Sequence, residues 1–207
     1  QQEPYSIVWC VRDDGVLLGM TYMPEHKIVA WHKHTTDGDF ESICTIPGDT
    51  DDEVWVVVKR TIGGATKRYI ERMDPFFVDS DTTDAFFVDS GLSYSGTAVT
   101  SVGGLDHLIG KTVSIVADGS VQASKVVDAT GHITLDYAAS DVHAGLPYTC
   151  DMATMPMSLM GQGGTIEAHK MRIVNLSMRF YNTYGCKISS DGTTYSTVHF
   201  PLVDNAI

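Results

Sequence analysis

WCVRDDGVLLGMTYMPEHKIVAWHKH, residues 9–34, is a row of apolar runs broken by two turns. The first run, Ile7 to Val11, stops at Asp13-Asp14-Gly15; the second, Val16 to Tyr22, stops at Pro24-Glu25-His26. Gly enters positive φ without strain and Pro pre-sets its own φ, so both sites favour chain reversal. Lys27 to His34 then runs back. Each run has the length of a strand and is too short for a helix, so the stretch predicts antiparallel β structure.

The stretch closes on His32 and His34. On a strand, residues i and i+2 share a face, which permits shared metal binding. Such a site needs a third and usually a fourth ligand. Asp37, Asp39 and His26 are near in sequence, but nothing fixes them beside the pair. The alternation with Trp31 and Lys33 points to a simpler division, in which the Trp face is packed and the other face is polar. No metal site is expected, and His32 and His34 are the candidates if there is one.

The same reading extends along the chain. Phe40 to Ile46 is a strand closed by Pro47-Gly48, and Val54 to Arg60 and Thr66 to Met73 flank Gly63-Gly64 as a hairpin. IVWCVRDDG, around Trp9, echoes EVWVVVKRTIGG, around Trp55, 46 residues later. A period of about 40 to 50 residues with several short strands suits a propeller blade, while two meanders packed as a sandwich would look similar.

Composition changes at Asp74, and to about Pro156 the chain is rich in Gly, Ser, Thr, Asp and Ala. Lys111 to Ala117 alternates, with Val113 and Ile115 on one face. Asp118-Gly119 signals a hairpin into Val121 to Val127, and His132 to Leu135 completes a small β module. FFVDS at 76–80 recurs at 86–90, too short a period for a solenoid, and reads as a duplicated edge segment or coincidence. After a connector bearing Met152, Met155, Met157 and Met160, strand character returns in MRIVNLSMRFY. There Val174, Leu176, Met178 and Phe180 share one face. Pro156 argues against a Met-lined helix, and the thioethers are expected to fill gaps. The fold class expected is all-β: a partial propeller or sandwich-like body from 1–73 and 157–207, with 74–156 inserted as a barrel-like module.

Chemistry is sparse in the spacing. GDTDDE (48–53) and DSDTTD (79–84) lack the Gly and Glu of an EF-hand loop. GLSYSG (91–96) nearly spells a nucleophile elbow, but its second Gly comes one residue late and no strand–helix context surrounds it. GQGG (161–164) is not a dinucleotide fingerprint, and HExxH, P-loop and CxxC patterns are lacking. Cys10, Cys44, Cys150 and Cys186 are scattered and read as buried free thiols of a chain folding in a reducing cytoplasm. No catalytic residue or cofactor is expected. The net charge of −12, from 14 basic against 26 acidic residues, opposes phosphate gripping and anionic membranes. No apolar run reaches the roughly 18 residues of a membrane span. The start, QQEPYSIVW, and the end, HFPLVDNAI, suggest a processed piece of a longer protein.

Several stretches together resemble a family. VWCVRDDGVLLGMTYMPEHKIVAWHKHTTDG, DDEVWVVVKR and KRYIERM resemble segments of short-tailed bacteriophage tail tubular (nozzle) proteins, also called phage stabilisation proteins. DAFFVDSGLSYSG, GLDHLIGKTVSIVADGSV and GLPYTCDMATMP resemble that family's inserted β module, which is compared with the first catalytic cysteine half-domain of ubiquitin-activating enzymes. The likeness continues through KMRIVNLSMRFYNTYGCKISSDG and covers nearly the whole chain. It implies a non-enzymatic virion component, assembled in the host bacterial cytoplasm and placed in the tail. Its partners would be further copies in a ring, portal and adaptor proteins, and tail fibres, with DNA passing through unbound. The chain is shorter than the usual member, so part of the propeller is expected to be missing. Ubiquitin chemistry is not implied, because no adenylation motif accompanies the module. The rival expectation is a module that binds a host surface or a fibre.

Overall fold

The computed structural model describes residues 1–75, 81–155, 160–161, 164–165, 173–180, 183 and 185–198. The protein is all-β, with antiparallel sheets and, among the described residues, three single-turn 3-10 segments. It forms two compact units, Gln1–Asp151 and Met152–Ile207.

The first unit opens with two meanders. Strands β1 (Ile7–Val11), β2 (Leu17–Met23) and β3 (Ile28–His34) pair in that order, as do β4 (Asp39–Ile46), β5 (Glu53–Ile62) and β6 (Ala65–Arg72). Gly63 and Gly64 both take positive φ, 58° and 79°, so the turn after Ile62 needs two residues that tolerate left-handed backbone. Along β5, Val54, Val56, Val58, Arg60 and Ile62 are all buried, the period of two that places one face on a core. The two meanders meet through buried Leu17, Val56 and Val58, with Trp9, Val11, Phe40, Ile43 and Met73 packed around them.

The echo between Trp9 and Trp55 does not mark equivalent strands. Trp9 lies on β1, at the edge of its sheet, and packs inward; Trp55 lies on β5, at the centre of its sheet, on the face opposite Val56. Both strings encode alternation, and alternation does not say which strand of a sheet carries it.

The third sheet has the order β7-β10-β8-β9, from β7 (Asp89–Val102), β8 (Thr112–Ala117), β9 (Ser120–Val126) and β10 (Ile133–Leu146). It stays open: no closed barrel forms among the described residues. Val113, Ile115 and Ala117 all point into the core. The Asp118-Gly119 hairpin forms with φ of 47° and 72°. Asp118 also anchors the neighbouring strand, its Oδ1 accepting from the backbone N–H groups of Ser140 (3.0 Å) and Asp141 (2.9 Å). Strand β7 is a new element. Its Ser, Thr and Gly content conceals fourteen residues that pair with β10 through several bulges. Of the duplicated segment, 86–90 leads into this edge strand, and 76–80 lies outside the described residues.

Among the described residues of the second unit there are two short pairs, β11 (Met160–Gly161) with β12 (Gly164–Thr165) and β13 (Cys186–Ile188) with β14 (Ser196–Val198). The loop between β13 and β14 is tied by Asp191, whose Oδ1 accepts from the N–H groups of Thr193 and Thr194; these bonds hold its carboxyl well below the usual range. The strand expected in MRIVNLSMRFY is not formed over its described part. Residues 173–180 belong to no ladder, and Val174, Leu176 and Met178 are exposed. Periodicity specifies which side chains share a face, but a strand also needs a neighbour to take its backbone hydrogen bonds. Met152 and Met155 are likewise exposed rather than filling gaps, and Met157 lies outside the described residues.

Candidate functional site

Three clusters of chemistry-bearing side chains form among the described residues, and the first contains the two predicted histidines. Cross-strand register places Trp9, Gly19 and His32 in one row and Val11, Leu17 and His34 in the next. Gly19 has no side chain, so the His32 ring and the Trp9 indole fill the space above it. A Cβ there would land on the imidazole. His32 meets Trp9 edge-on at 5.6 Å and His34 at 5.1 Å between ring centroids. Trp9 Nε1 donates to Gln1 Oε1 at 3.0 Å.

This reverses the expected division of β3. Trp31 is 59% exposed, while the histidine face is the half-buried one. The reason lies across the sheet: the histidines share their side with Leu17 and Trp9, which pack on the second meander, whereas Trp31 pairs with Met20 on the outer side. Desolvation lowers the pKa of both imidazoles, and the neighbouring His32 lowers that of His34 further. No group of three or more His, Cys, Asp or Glu side chains suited to a metal converges among the described residues.

The second cluster joins β5 and β6 to the start of β7. Arg60, only 1% exposed, donates Nε to Glu71 Oε1 (2.9 Å) and Nη2 to Glu71 Oε2 (2.8 Å). Its Nη1 reaches Thr36 Oγ1 (2.7 Å) and the Asp37 carbonyl (2.8 Å). Glu71 Oε1 also accepts from Ser90 Oγ at 2.9 Å. Asp89 is hydrogen-bonded to Thr36, and burial raises its pKa against that bond and the nearby Arg60. Ser90 holds a positive φ of 50°, uncommon for a residue with a Cβ, and its carbonyl accepts from His107 Nε2 at 2.7 Å. Ile62 and Tyr69 pack beside this network against the core of the third sheet. Every guanidinium nitrogen of Arg60 is thereby satisfied inside the fold, the condition for burying a charge. Its evident work is to lock the meanders to the third sheet.

The third cluster lies on the third sheet. Ser93 Oγ is 2.7 Å from His143 Nδ1, and His143 Nε2 is 2.7 Å from the Thr83 carbonyl. Ser93 belongs to the GLSYSG segment, which forms part of a long strand instead of a strand-to-helix elbow.

The acidic segments act as caps and ties. Asp52 Oδ2 accepts from the N–H groups of Gln2 and Glu3, and Glu53 accepts from Trp55 Nε1 and Arg72. Asp81 caps the turn Thr82–Asp84 through the Thr83 N–H; Asp79 lies outside the described residues. An open depression beside Gly15 is lined by Arg12, Asp14, Asp39, Glu41 and Lys59, whose charges are paired within the chain. The cysteines are free, but not buried as expected: Cys10, Cys44 and Cys150 are exposed and Cys186 is half-buried. Cys10 and Cys44 fall on the outward faces of the two meanders, a consequence of register that spacing along the chain does not reveal.

The chain matches no known protein-family model and no curated protein.

Proposed function

We propose that this protein is a structural component of a bacteriophage tail, a nozzle or tail-tube subunit or part of one. It contributes shape to the channel for DNA ejection and surfaces for assembly. The observation that supports this reading best is the character of the outward faces of the two meanders. On the first, Val8, Tyr22, Val29 and Trp31 are between 46% and 59% exposed; on the second, Ile46 and Ile70 stand out, at 48% and 75%. A sheet with apolar residues on both faces resembles one layer of a stack. Two meanders stacked face to face suit successive propeller blades, and a net charge of −12 suits a conduit that must not hold DNA.

The test uses the parent protein in full length, by light scattering and electron microscopy. A closed ring is expected, and copies should appear in the tail of the parent particle. A full-length protein that stays monomeric and binds no tail component overturns the proposal. A second reading, a module that recognises host glycan or a fibre, draws on Phe87, Tyr137 and Tyr148, aromatics exposed on the 74–156 segment. A glycan array that shows no binding would remove its glycan form.

A further inference from the structure

GLSYSG places Ser93 on β7 directly opposite His143 of β10. The imidazole of His143 is held from three sides. Its Nε2 faces the Thr83 carbonyl at 2.7 Å, its Nδ1 faces Ser93 Oγ at 2.7 Å, and Phe86 meets the ring edge-on at 5.6 Å.

Each support has its own anchor. The carbonyl belongs to the 3-10 turn Thr82–Asp84, whose N-cap Asp81 accepts from the Thr83 N–H, and the turn rests against Gly119 of the β8–β9 hairpin. Phe86 occupies space left open by Gly91, where a Cβ would come within 2.8 Å of Phe86 Cζ and 2.5 Å of Val88 Cγ2. Val88 is itself buried.

The tautomer follows from the partners. A carbonyl oxygen only accepts, so Nε2 carries the hydrogen. In the neutral imidazole Nδ1 is then the free acceptor, and the Ser93 hydroxyl must donate to it. That is the arrangement of an activated nucleophile: hydroxyl, base and a third group that orients the base. Ser93 is exposed, so a reagent can reach it, while His143 is half-buried.

We propose that Ser93 is a nucleophile activated by His143 that accepts an acyl group from an aryl ester. Ser93 Oγ attacks the carbonyl carbon as its proton passes to His143 Nδ1. The tetrahedral adduct re-forms its carbonyl and expels the phenolate, which takes up the proton from the imidazolium directly or through water. The products are acyl-Ser93 and a phenol. An aryl ester is the class that fits an open strand surface, because its leaving group departs as a stable anion and asks little of the surroundings. This reactivity does not depend on the tail-tube reading.

The test is acetylation of the whole chain by p-nitrophenyl acetate, followed by peptide mapping. Hydroxylamine separates the labile serine ester from acetyl-lysine. Ser95 and Ser101, on the same strand, serve as internal references, and Ser93→Ala and His143→Gln are the variants. Glutamine can span the Thr83 carbonyl and Ser93 hydroxyl without supplying a base, and the fold of each variant is checked by circular dichroism. The expected result is a release of p-nitrophenol matched by an ester on Ser93, formed about a hundredfold faster than on Ser95. It should be absent in Ser93→Ala and fall to the Ser95 rate in folded His143→Gln. Equal acetylation of Ser93 and the reference serines, or an unchanged rate in His143→Gln, overturns the proposal.

Discussion

The meanders and the third sheet solve the same problem with unequal means. The third sheet gathers a core of fourteen buried residues, thirteen from 102–146 and one, Ile62, lent by β5. Among the described residues the cluster buried between the two meanders is smaller, Leu17, Val56 and Val58 with partly buried side chains around it, and Ile7 and Val54 are the other buried apolar residues of 1–61. Their outer faces leave Trp31, Val29 and Ile70 in water. Burial of apolar area is the main favourable term in folding. A region with a thin inner core and apolar outer faces therefore has stability still to gain by being covered, whereas the third sheet is closer to self-sufficient.

The largest effect on stability is expected where the two regions join. Arg60→Ala leaves Glu71 without its buried partner and should cost about 3–5 kcal/mol by chemical denaturation. A combined Arg60→Met and Glu71→Leu chain should recover much of that, because the cost lies in the orphaned charge. Next come the cores. Leu108→Ala, in the 3-10 turn Asp106–Leu108 that packs into the core of the third sheet, should cost about 2–5 kcal/mol, and Leu17→Ala between the meanders should fall near the low end, because a thin core collapses more readily around the gap. Equal losses would refute the asymmetry.

Gly19→Ala forces a methyl against the His32 ring and should cost about 1–3 kcal/mol through overpacking in the first meander. Thermal unfolding of the variant measures it.

Acidification probes the same site. Both imidazoles have folded pKa values below their unfolded value of about 6.5, so the unfolded chain takes up protons first as pH falls. Their contribution to stability is fully present above that value and is lost on acidification down through the folded values. Asp89 opposes this, since its raised pKa lets the folded state bind a proton more tightly than the unfolded chain. Carboxylates with lowered pKa values, such as Asp128, hydrogen-bonded by the His132 N–H and by Thr130, and Asp136, bonded to Lys125, act only at still lower pH, near and below about 4. Denaturation midpoints measured between pH 7 and 5 should therefore fall less in His34→Gln than in the parent chain. The smallest effect on stability is expected at Trp31→Ser, within about 0.5 kcal/mol. The same change should reduce self-association in sedimentation experiments, if the outer face is a contact surface.

Much of the fold was legible because turns carry their own chemistry. Gly63-Gly64 and Asp118-Gly119 announce left-handed backbone, and each sits at the two-residue loop of a hairpin. Strand β7 was not legible, because fourteen residues rich in Ser, Thr and Gly carry little apolar alternation. Its strand state depends on β10 supplying the ladder, and periodicity cannot report a partner. Residues 173–180 show the converse: alternation is strong, and no ladder forms. At the candidate sites, the shared face of His32 and His34 follows from local geometry, but its inward direction depends on Leu17 and Trp9 across the sheet. Ser93 and His143 stand 50 residues apart, a pairing that no spacing rule would select.

The sequence by itself determined the β class, the positions of the tight turns, the alternation of β5 and β8 and the acidic charge. All of these arise from neighbours along the chain, through backbone sterics and a period of two. Only the tertiary structure decided which face of the first meander is inner, which strands are central, and which serine meets which histidine. Those depend on strand register and sheet stacking, which bring together residues far apart in the chain and leave little trace in local composition.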